Sequence, residues 1–342
     1  MGKRRVRDLR SLNHEVVGYD VQSARNAEAS QRFGIATHGS FDEMLSAGAE
    51  AIVISTPPDQ HVPYYEKCFR ARVPFFSEAN IFTPRASWFA ERAAASGVRG
   101  YPSATWQFYP LFQALREQIS ALGRESVQTV HYQYGGYLPY WHPSEPYSQY
   151  YAGQRLTSAA REMVPFEMEW LHWVFGPVRA VCAVQDRRHD WTTDIDDSYF
   201  LLLDFESGLR GTLIIELHQV APFRIGRVSC VDDAFTIEMA SHELLRYNKS
   251  TDSWRRLKPA GMRALGSFDF EEIYRAEIAD FTNALAGGAY AKTWQDDRHL
   301  SNILFAAEES WARKSWVTID EAEAQYDGLT LDQKQGAQRI AS

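Results

Sequence analysis

The chain has 342 residues, is 45% hydrophobic and 23% charged, and carries a formal net charge of −8. This length is sufficient for two domains, and the composition is typical of a soluble globular protein. The negative charge argues against a nucleic-acid-binding protein, which needs a basic face. No apolar run approaches the roughly 18 residues of a membrane helix. We therefore expect neither nucleic acid nor membrane as a partner.

The three cysteines, Cys68, Cys182 and Cys230, are odd in number and lie far apart. Their spacing matches neither a disulfide framework nor a zinc site. The basic first residues are not followed by the apolar stretch of a secretory signal. These observations favour a cytoplasmic protein without a metal centre.

The first third of the sequence alternates short strands with helices, which predicts parallel βαβ units. Glu15–Val21 has the composition of a strand with an acid, Asp20, near its end. The next helix, Ser23–Phe33, is expected to end at Gly34. Further strands are predicted at Ile35–Thr37, Ala51–Ser55 and Pro74–Ser77, and further helices at Gly2–Leu12, Phe41–Ala47, His61–Ala71 and Pro84–Ser96.

The stretch Ala51–His61, AIVISTPPDQH, combines an apolar strand with a sharp polar turn. Ligands of open α/β sheets bind beyond the carboxyl ends of the strands. Thr56 and Pro57 occupy that place, so the turn is a candidate cofactor wall. An ordinary strand–turn–helix corner explains the same eleven residues equally well.

Four segments occur in the order seen in the Gfo/Idh/MocA oxidoreductases: EVVGYD, AIVISTPPDQH, PFFSEANIFT and TWQFYP. The sequence resembles that family over most of its length. The resemblance implies a Rossmann-like parallel-sheet α/β domain over residues 1–122. It also implies an α+β domain with a mostly antiparallel sheet over 123–342. A nicotinamide cofactor and a carbohydrate-type substrate are expected with this fold.

By the same resemblance, Thr56, Pro57, His61 and Glu78 line the cofactor cleft. Asp20 can accept hydrogen bonds from both ribose hydroxyls and repels a 2′-phosphate, which favours NAD over NADP. A solvated acid in a turn is the alternative for Asp20. The family's Glu-Lys-Pro sequence reads Glu78, Ala79 and Asn80 here, so the lysine that acts in proton transfer is replaced by an alanine.

The loop Leu138–Thr157 is dense in rings, and a loop of about twenty residues with this composition is typical of a functional segment. It resembles a segment of family members from surface-polysaccharide and sialic-acid-like sugar gene clusters. Tyr137, Trp141, His142 and Tyr147 are candidates to stack on a sugar. Packing against a partner subunit is the alternative.

The segment Arg161–Gly176 is predicted to be a helix with Pro165 in its first turn. The resemblance places Glu162 on the family's catalytic aspartate and Phe166 on its catalytic histidine, which is therefore also absent. The remaining candidates for acid–base chemistry are Glu162 first, and then Glu167, His142 and Tyr137. A helix N-terminus favours a charged carboxylate, which suits a base.

The rest of the sequence predicts a sheet and two return helices, followed by a loose tail over Asp320–Ser342. In the family, such an open sheet commonly forms the oligomer interface, so a homo-oligomer, a dimer or tetramer, is expected. The predicted strands are Val178–Val184, Ser198–Phe205, Leu209–Leu217, Arg227–Val231 and Phe235–Met239, and the helices are Phe270–Leu285 and Arg298–Lys314.

The first strand-like segment already carries the acid of a second Rossmann strand, which leads us to expect a further strand upstream. Asp20 lies 18 residues after Gly2, close to the roughly 20 residues expected between a G-x-G-x-x-G turn and this acid. Gly2 would then be the end of that cofactor-binding turn. A shortened protein that binds no cofactor is the alternative.

Two classes of function follow. One is an NAD-linked oxidoreductase that acts on a sugar or nucleotide-sugar, with the cofactor supplying the chemistry. The other is a non-catalytic binding or scaffold protein, because a Rossmann fold alone does not assign a reaction.

Overall fold

The computed structural model describes residues 1–142, 145–260, 262 and 268–327. Ten α-helices occur in this part of the chain. They are α1 Gly2–Ser11, α2 Ser23–Phe33, α3 Phe41–Ser46, α4 His61–Ala71, α5 Ala86–Ser96, α6 Pro110–Leu122, α7 Ala159–Phe175, α8 Glu271–Leu285, α9 Trp294–Arg313 and α10 Ile319–Asp327. None of these helices is long and apolar enough to cross a membrane.

The strands of the described residues form three sheets. They are β1 Val17–Gly18, β2 Ala36–Thr37, β3 Ile52–Ile54, β4 Phe75–Ser77, β5 Gly100–Pro102, β6 Val127–Tyr137, β7 Val178–Asp186, β8 Ser198–Phe205, β9 Arg210–Glu216, β10 His218–Cys230, β11 Asp233–Glu238, β12 Glu243–Asn248, β13 Ser253–Leu257 and β14 Val317–Thr318.

The chain divides into two compact units. The first contains Met1–Phe108 and Phe270–Asp297, and the second contains Tyr109–Asp269 and Arg298–Ser342. These units differ in extent from the predicted domains at two places. Helix α6 belongs to the second unit, because Phe112 stacks on Trp170 of α7 with ring centroids 4.3 Å apart. Helix α8 belongs to the first unit, where Phe281 packs against Phe76.

The first unit has parallel strands with helices, as the alternating pattern predicts. Strands β3, β4 and β5 form one parallel sheet, and β1 and β2 form a separate parallel pair. Successive side chains of a strand point to opposite faces. Phe75 and Phe76 of β4 are both fully buried and belong to two different apolar clusters, so both faces of the three-stranded sheet are covered.

Local sequence explains the helix boundaries in the first unit well. Helix α2 spans the predicted residues and ends at Gly34, which has φ of 62° and donates its N–H to the carbonyl of Ser30. A left-handed conformation carries no steric penalty for glycine.

The second unit is built on a sheet of nine described strands in the order β13-β12-β11-β10-β6-β9-β8-β7-β14. Neighbouring strands are antiparallel except β6 and β9. Helix α7 packs on one face, where the fully buried Trp170 meets Tyr132 of β6 edge to face. The predicted position of Pro165 is wrong: α7 begins at Ala159, so this proline lies inside the helix. It therefore cannot donate to the carbonyl of Arg161.

The prediction of a loose tail over Asp320–Ser342 is wrong for its first eight residues, which belong to α10. Thr318 and Glu321 form a capping box, in which the Glu321 N–H donates to the Thr318 hydroxyl at 3.2 Å and the Thr318 N–H donates to the Glu321 carboxylate at 2.8 Å. Ala322 and Tyr326 are buried. Residues 328–342 lie outside the described part of the chain.

Candidate functional site

The turn after β3 holds the residues expected to line a cofactor cleft. His61 is buried, with Nδ1 2.7 Å from the Asn80 side-chain oxygen and Nε2 2.9 Å from the Thr56 carbonyl oxygen. The buried His61 side chain therefore fixes the conformation of the turn. Pro57, by contrast, is exposed. The Thr56 hydroxyl oxygen is buried and has no hydrogen-bond partner among the described residues. An orphan hydroxyl of this kind is suited to bind a ligand.

Glu78 lies at the end of β4 and is engaged inside the first unit. Arg5 of α1 donates from Nε and Nη2 to its two oxygens at 2.7 and 2.8 Å, and Nη2 also donates to Glu277 at 2.5 Å. Burial acts to raise the pKa of Glu78, but Arg5 outweighs burial and the net pKa is lowered. Glu78 therefore anchors α1, and its two oxygens are occupied by a guanidinium.

Gly2 and Asp20 have different surroundings. Gly2 opens α1 near Ser55, where an added Cβ would lie 3.8 Å from the Ser55 Cβ. Asp20 accepts the Gln22 N–H at 2.8 Å and lies 3.8 Å from the Arg25 guanidinium. The structure thus brings Gly2 close to the turn after β3, while Asp20 begins the turn into α2.

Glu167 of α7 is fully buried. The Tyr132 hydroxyl donates to it at 2.8 Å, and Arg224 donates from Nε at 2.9 Å. Burial and then Glu167 raise the pKa of Tyr132, so this phenol stays a donor. The Arg224 guanidinium lies 3.9 Å from the Tyr134 ring centroid. Glu167 therefore fixes the position of the Arg224 guanidinium.

Glu162 is in the first turn of α7, as predicted, and is half-buried. The Tyr151 hydroxyl donates to it at 3.4 Å. Burial, followed by Glu145 and Glu162, raises the pKa of Tyr150 to about 12. His142 stacks on Tyr150 with ring centroids 4.4 Å apart. Glu162 and His142 therefore belong to one neighbourhood, organised around Tyr150.

Tyr137 lies in a third environment, which we name the ring site: Tyr137, Tyr140, Tyr147, His189 and Trp191. Tyr137 contacts Tyr140 at 4.8 Å, and His189 stacks on Trp191 at 4.3 Å between centroids. Tyr147 meets Trp191 at 5.3 Å. The four predicted catalytic residues thus fall into three environments of the second unit.

Sequence reasoning missed three parts of these surroundings: Arg5, Arg224 and the segment 186–197. The last has a recognisable signal, a long polar connection between two strands that carries an aromatic residue, RRHDWTTDIDD. Within the described residues, no group of three or more His, Cys, Asp and Glu side chains could hold a metal ion.

Comparison with known proteins supports the fold. Residues 112–239 match the sequence profile of the GFO/IDH/MocA C-terminal domain. A comparison with curated proteins finds no match.

Among solved structures, an oxidoreductase from Agrobacterium radiobacter in complex with NAD+, L-tartaric acid and magnesium has a TM-score of 0.79, with 14% identity over 93% of this chain and 95% of that chain. Levoglucosan dehydrogenase in complex with NADH and levoglucosan gives 0.79, with 15% identity over 93% of this chain and 96% of that chain. An NAD binding oxidoreductase from Klebsiella pneumoniae gives 0.74, with 16% identity over 93% and 94%. At these identities the likeness establishes the fold, and the predicted fold class, a Rossmann-like parallel-sheet domain followed by an α+β domain, is confirmed.

Proposed function

We propose that this protein is a Gfo/Idh/MocA oxidoreductase that uses NAD to oxidise a hydroxyl group of a sugar to a carbonyl, or NADH to reduce that carbonyl in the reverse direction. The observation that carries this proposal is the likeness of fold, which extends over 93% of the chain to a sugar dehydrogenase in complex with NADH. The match of residues 112–239 to the family's C-terminal domain supports the same reading from sequence.

The first unit offers residues that fit a nicotinamide cofactor. The Thr56 hydroxyl is buried without a partner among the described residues. The N-terminus of α1 carries no acidic residue in its first turn, and helix N-termini favour phosphate. Gly2 and Thr56 would hold the cofactor's phosphates and nicotinamide half, and Asp20 its adenosine ribose. When bound, the cofactor supplies the hydride acceptor or donor.

NAD is the proposed form, because the Asp20 carboxylate repels a 2′-phosphate. Arg25 lies 3.8 Å from that carboxylate and partly offsets its charge. Comparing the dissociation constants of NADH and NADPH tests this choice directly, and tighter NADPH binding would refute it.

Glu162 is the proposed base for the substrate's hydroxyl proton. Ala79 and Phe166 stand where the resemblance places the family's lysine and histidine, and neither titrates. Glu167 is fully buried against Arg224 and Tyr132, whereas Glu162 is half-buried and accepts the Tyr151 hydroxyl at 3.4 Å. A base must reach the hydroxyl proton directly or through one water. Glu162 therefore meets this requirement better than Glu167.

The decisive experiment measures NADH binding by fluorescence and then turnover over a panel of sugars. General-base catalysis contributes typically about 10²–10⁴-fold, so Glu162→Gln should lower kcat by about that factor while NADH binds as before. Glu206→Gln, an exposed carboxylate of the same unit, is the matched control. Full turnover by Glu162→Gln would remove Glu162 from the mechanism.

A non-catalytic binding or scaffold protein is the second candidate. One observation favours this candidate: Arg5 donates to both oxygens of Glu78. The next residue, Ala79, is the alanine that replaces the family's lysine. NADH binding without turnover of any sugar in the panel would favour this candidate. Absence of NADH binding would refute the oxidoreductase.

The free face of the large sheet is the proposed homo-oligomer interface, in a dimer or tetramer. Leu202 and Val184 are 50% and 45% exposed on the neighbouring strands β8 and β7, and Ile225 is 39% exposed on β10 of the same face. Exposed apolar patches of this kind mark interaction sites. Leu202→Glu should reduce the mass measured by light scattering, whereas Val21→Glu, in the first unit, should not. A monomeric native protein at micromolar concentration would refute the interface.

The expected additional strand is also kept as a proposal. Among the described residues, β3 pairs only with β4 and β1 only with β2, so each has one edge without a strand neighbour. A strand between them would join the two parallel sheets and satisfy backbone groups that are costly to leave unpaired. Translation of the codons upstream in frame tests it, and an immediate stop codon would end the idea.

A further inference from the structure

The segment 186–197 of the second unit is organised around one buried carboxylate. Asp197 is 1% exposed. Its oxygens accept the backbone N–H groups of Arg188 at 3.0 Å and His189 at 2.8 Å, the indole N–H of Trp191 at 2.7 Å and the Ser198 hydroxyl at 2.7 Å. A buried carboxylate with this many donors is well satisfied. Asp197 therefore fixes the conformation of the loop that carries two members of the ring site.

Two contacts attach this segment to the loop after β6. The Thr192 N–H donates to the Tyr147 hydroxyl at 3.0 Å, and Arg155 donates to Asp194 at 2.9 Å. The ring site is thus built from two connections that are held together by polar contacts. Rigid positioning of this kind is what a binding surface needs, because fewer degrees of freedom are lost when a ligand binds.

The exposed part of the ring site is aromatic, while its centre is covered. Trp191 is 4% exposed and supports His189, and Tyr140 is 60% exposed beside Tyr137. Aromatic faces pack well against the apolar C–H face of a sugar, while phenol hydroxyls and an imidazole supply polar contacts at the edge. This combination differs from an apolar docking patch, since the two exposed rings, Tyr140 and His189, each carry a polar atom.

Charge around the ring site discriminates between sugar ligands. Residues 186–197 contain two arginines and five aspartates, a formal charge of −3 with histidine neutral. The arginines already face carboxylates: Arg188 lies 2.8 Å from Asp186, and Arg187 lies 3.8 Å from Asp190. A diphosphate placed here would meet net negative charge and paired guanidinium groups, which opposes binding.

We propose that the ring site binds a neutral glycosyl unit of the substrate, and that Asp197 is the positioning residue that holds Trp191 and His189 for it. This proposal deepens the proposed function and rests on it only in taking the bound sugar as substrate. It selects the neutral sugar over the nucleotide-sugar, two alternatives that sequence reasoning left open.

The test is a binding experiment without cofactor, so that its failure and a failure to bind NADH are distinguishable. Intrinsic tryptophan fluorescence is titrated with methyl glucoside, maltose and cellobiose as neutral probes and UDP-glucose as an anionic probe. We expect at least one neutral probe to bind more tightly than UDP-glucose. Tighter binding of UDP-glucose, or no binding of any neutral probe, would overturn the proposal.

Variants locate the binding. His189→Ala and Tyr140→Ala each remove one exposed ring, and each should weaken the neutral probe roughly three- to tenfold, since an aromatic contact contributes modestly. Trp316→Ala, 49% exposed elsewhere in the second unit, is the control and should bind as the native protein does. Equal affinities in all three variants would overturn the proposal, as would a change in oligomeric mass caused by Tyr140→Ala.

The test of Asp197 requires a measurement that would not change if Asp197 only stabilised the fold. Asp197→Asn keeps the shape but replaces one acceptor oxygen with an N–H donor that faces other donors. We expect a shifted Trp191 emission and a higher KM for a neutral sugar. The kcat should stay within about twofold of the native value. The midpoint of thermal unfolding should stay within a few degrees of the native value. An unchanged KM in a folded Asp197→Asn variant would show that Asp197 does not position the site.

Discussion

Each unit of this protein encloses an arginine that is bound to carboxylates, and the two centres differ in how far they are closed. In the first unit, the Arg5 side chain is 2% exposed and binds Glu78 and Glu277. In the second, the Arg224 side chain is 24% exposed, binds the carboxylate of Glu167 and stacks on Tyr134. The same pair of residue types thus occurs in a sealed and in a partly open setting.

The difference in exposure distinguishes an arginine that stabilises the fold from an arginine that remains accessible for binding. Arg5 has its donors directed to Glu78, Glu277 and the carbonyl of Tyr274. Glu277 in turn accepts the Ser103 hydroxyl and the Ala104 N–H, both at 2.7 Å. This closed network ties α1, β4 and α8 into one body. Water reaches Arg224, so its surroundings retain the access that a binding site requires.

The largest effect should come from breaking the sealed centre. Arg5→Met leaves two carboxylates buried without their cation, and removing one partner of a buried ion pair costs about 3–5 kcal/mol. Chemical denaturation followed by circular dichroism measures the loss in the free energy of unfolding. Arg7→Met is the control: Arg7 is half-exposed beside Asp8 and Glu271, and exposed pairs contribute about 1 kcal/mol at most. Equal losses in the two variants would contradict the closed network.

Breaking the partly open centre should have a smaller effect. Arg224→Met removes the cation beside Glu167, but Glu167 keeps the Tyr132 hydroxyl at 2.8 Å. We expect a loss of about 1–3 kcal/mol, the range for a buried polar group deprived of one partner. The same denaturation experiment measures it. A loss as large as that of Arg5→Met would mean that exposure does not separate the two centres.

Much of the first unit's fold was predictable because it depends on local signals. The Ser23–Phe33 helix with its glycine stop and the strand at Phe75–Ser77 are read from residues within a few positions of each other. The helix α10 was also within reach, since Thr318 and Glu321 stand at capping-box spacing. Strand β13 was missed because four of its five residues are exposed and the alternation that identifies a strand is lacking.

The two centres and the ring site were less predictable because their partners are distant in sequence. Arg5 lies in a basic helix whose other cations are exposed or half-exposed, and its partners are 73 and 272 residues away. Glu167 and Arg224 are 57 residues apart. The family resemblance and residue type suggested Glu162, Glu167, His142 and Tyr137, but only the folded chain separates them into three environments.

The acid stability of the first unit should report on Glu78. Its pKa in the folded state lies below the ordinary value of 4.5, because Arg5 outweighs the effect of burial. A lowered folded-state pKa stabilises the protein above the unfolded-state value, and the contribution is lost as the pH falls through the folded-state pKa. We expect the free energy of unfolding to decline from about pH 4.5 downwards by at most about 1.4 kcal/mol per pH unit for this group.

Glu78→Gln is the comparison for that measurement. The glutamine does not titrate, so its free energy of unfolding should decline less steeply over the same acid range. The variant keeps the pair of Arg5 with Glu277 at 2.5 Å, which limits the loss at neutral pH. Parallel curves for the variant and the native protein would show that Glu78 is not linked to acid unfolding.

The smallest effect concerns Thr56, which contrasts with both centres because its buried hydroxyl has no partner among the described residues. Burying a hydroxyl without a hydrogen bond is unfavourable, by about 1–3 kcal/mol on mutational scales. Thr56→Val keeps the shape and removes the polar atom, so the cofactor-free protein should be unchanged or slightly more stable, by about 1 kcal/mol at most.

NADH should bind several-fold more weakly to the Thr56→Val variant, because the removed hydroxyl is the group proposed to contact the cofactor. Thermal unfolding without and with NADH measures the two effects in one experiment, since ligand binding to the folded state raises the midpoint. Ser40→Ala, which removes the side-chain cap of α3, should lower both midpoints equally. A destabilised cofactor-free Thr56→Val protein would show that the hydroxyl already has a partner, and an undiminished NADH shift would show that the cofactor does not use it.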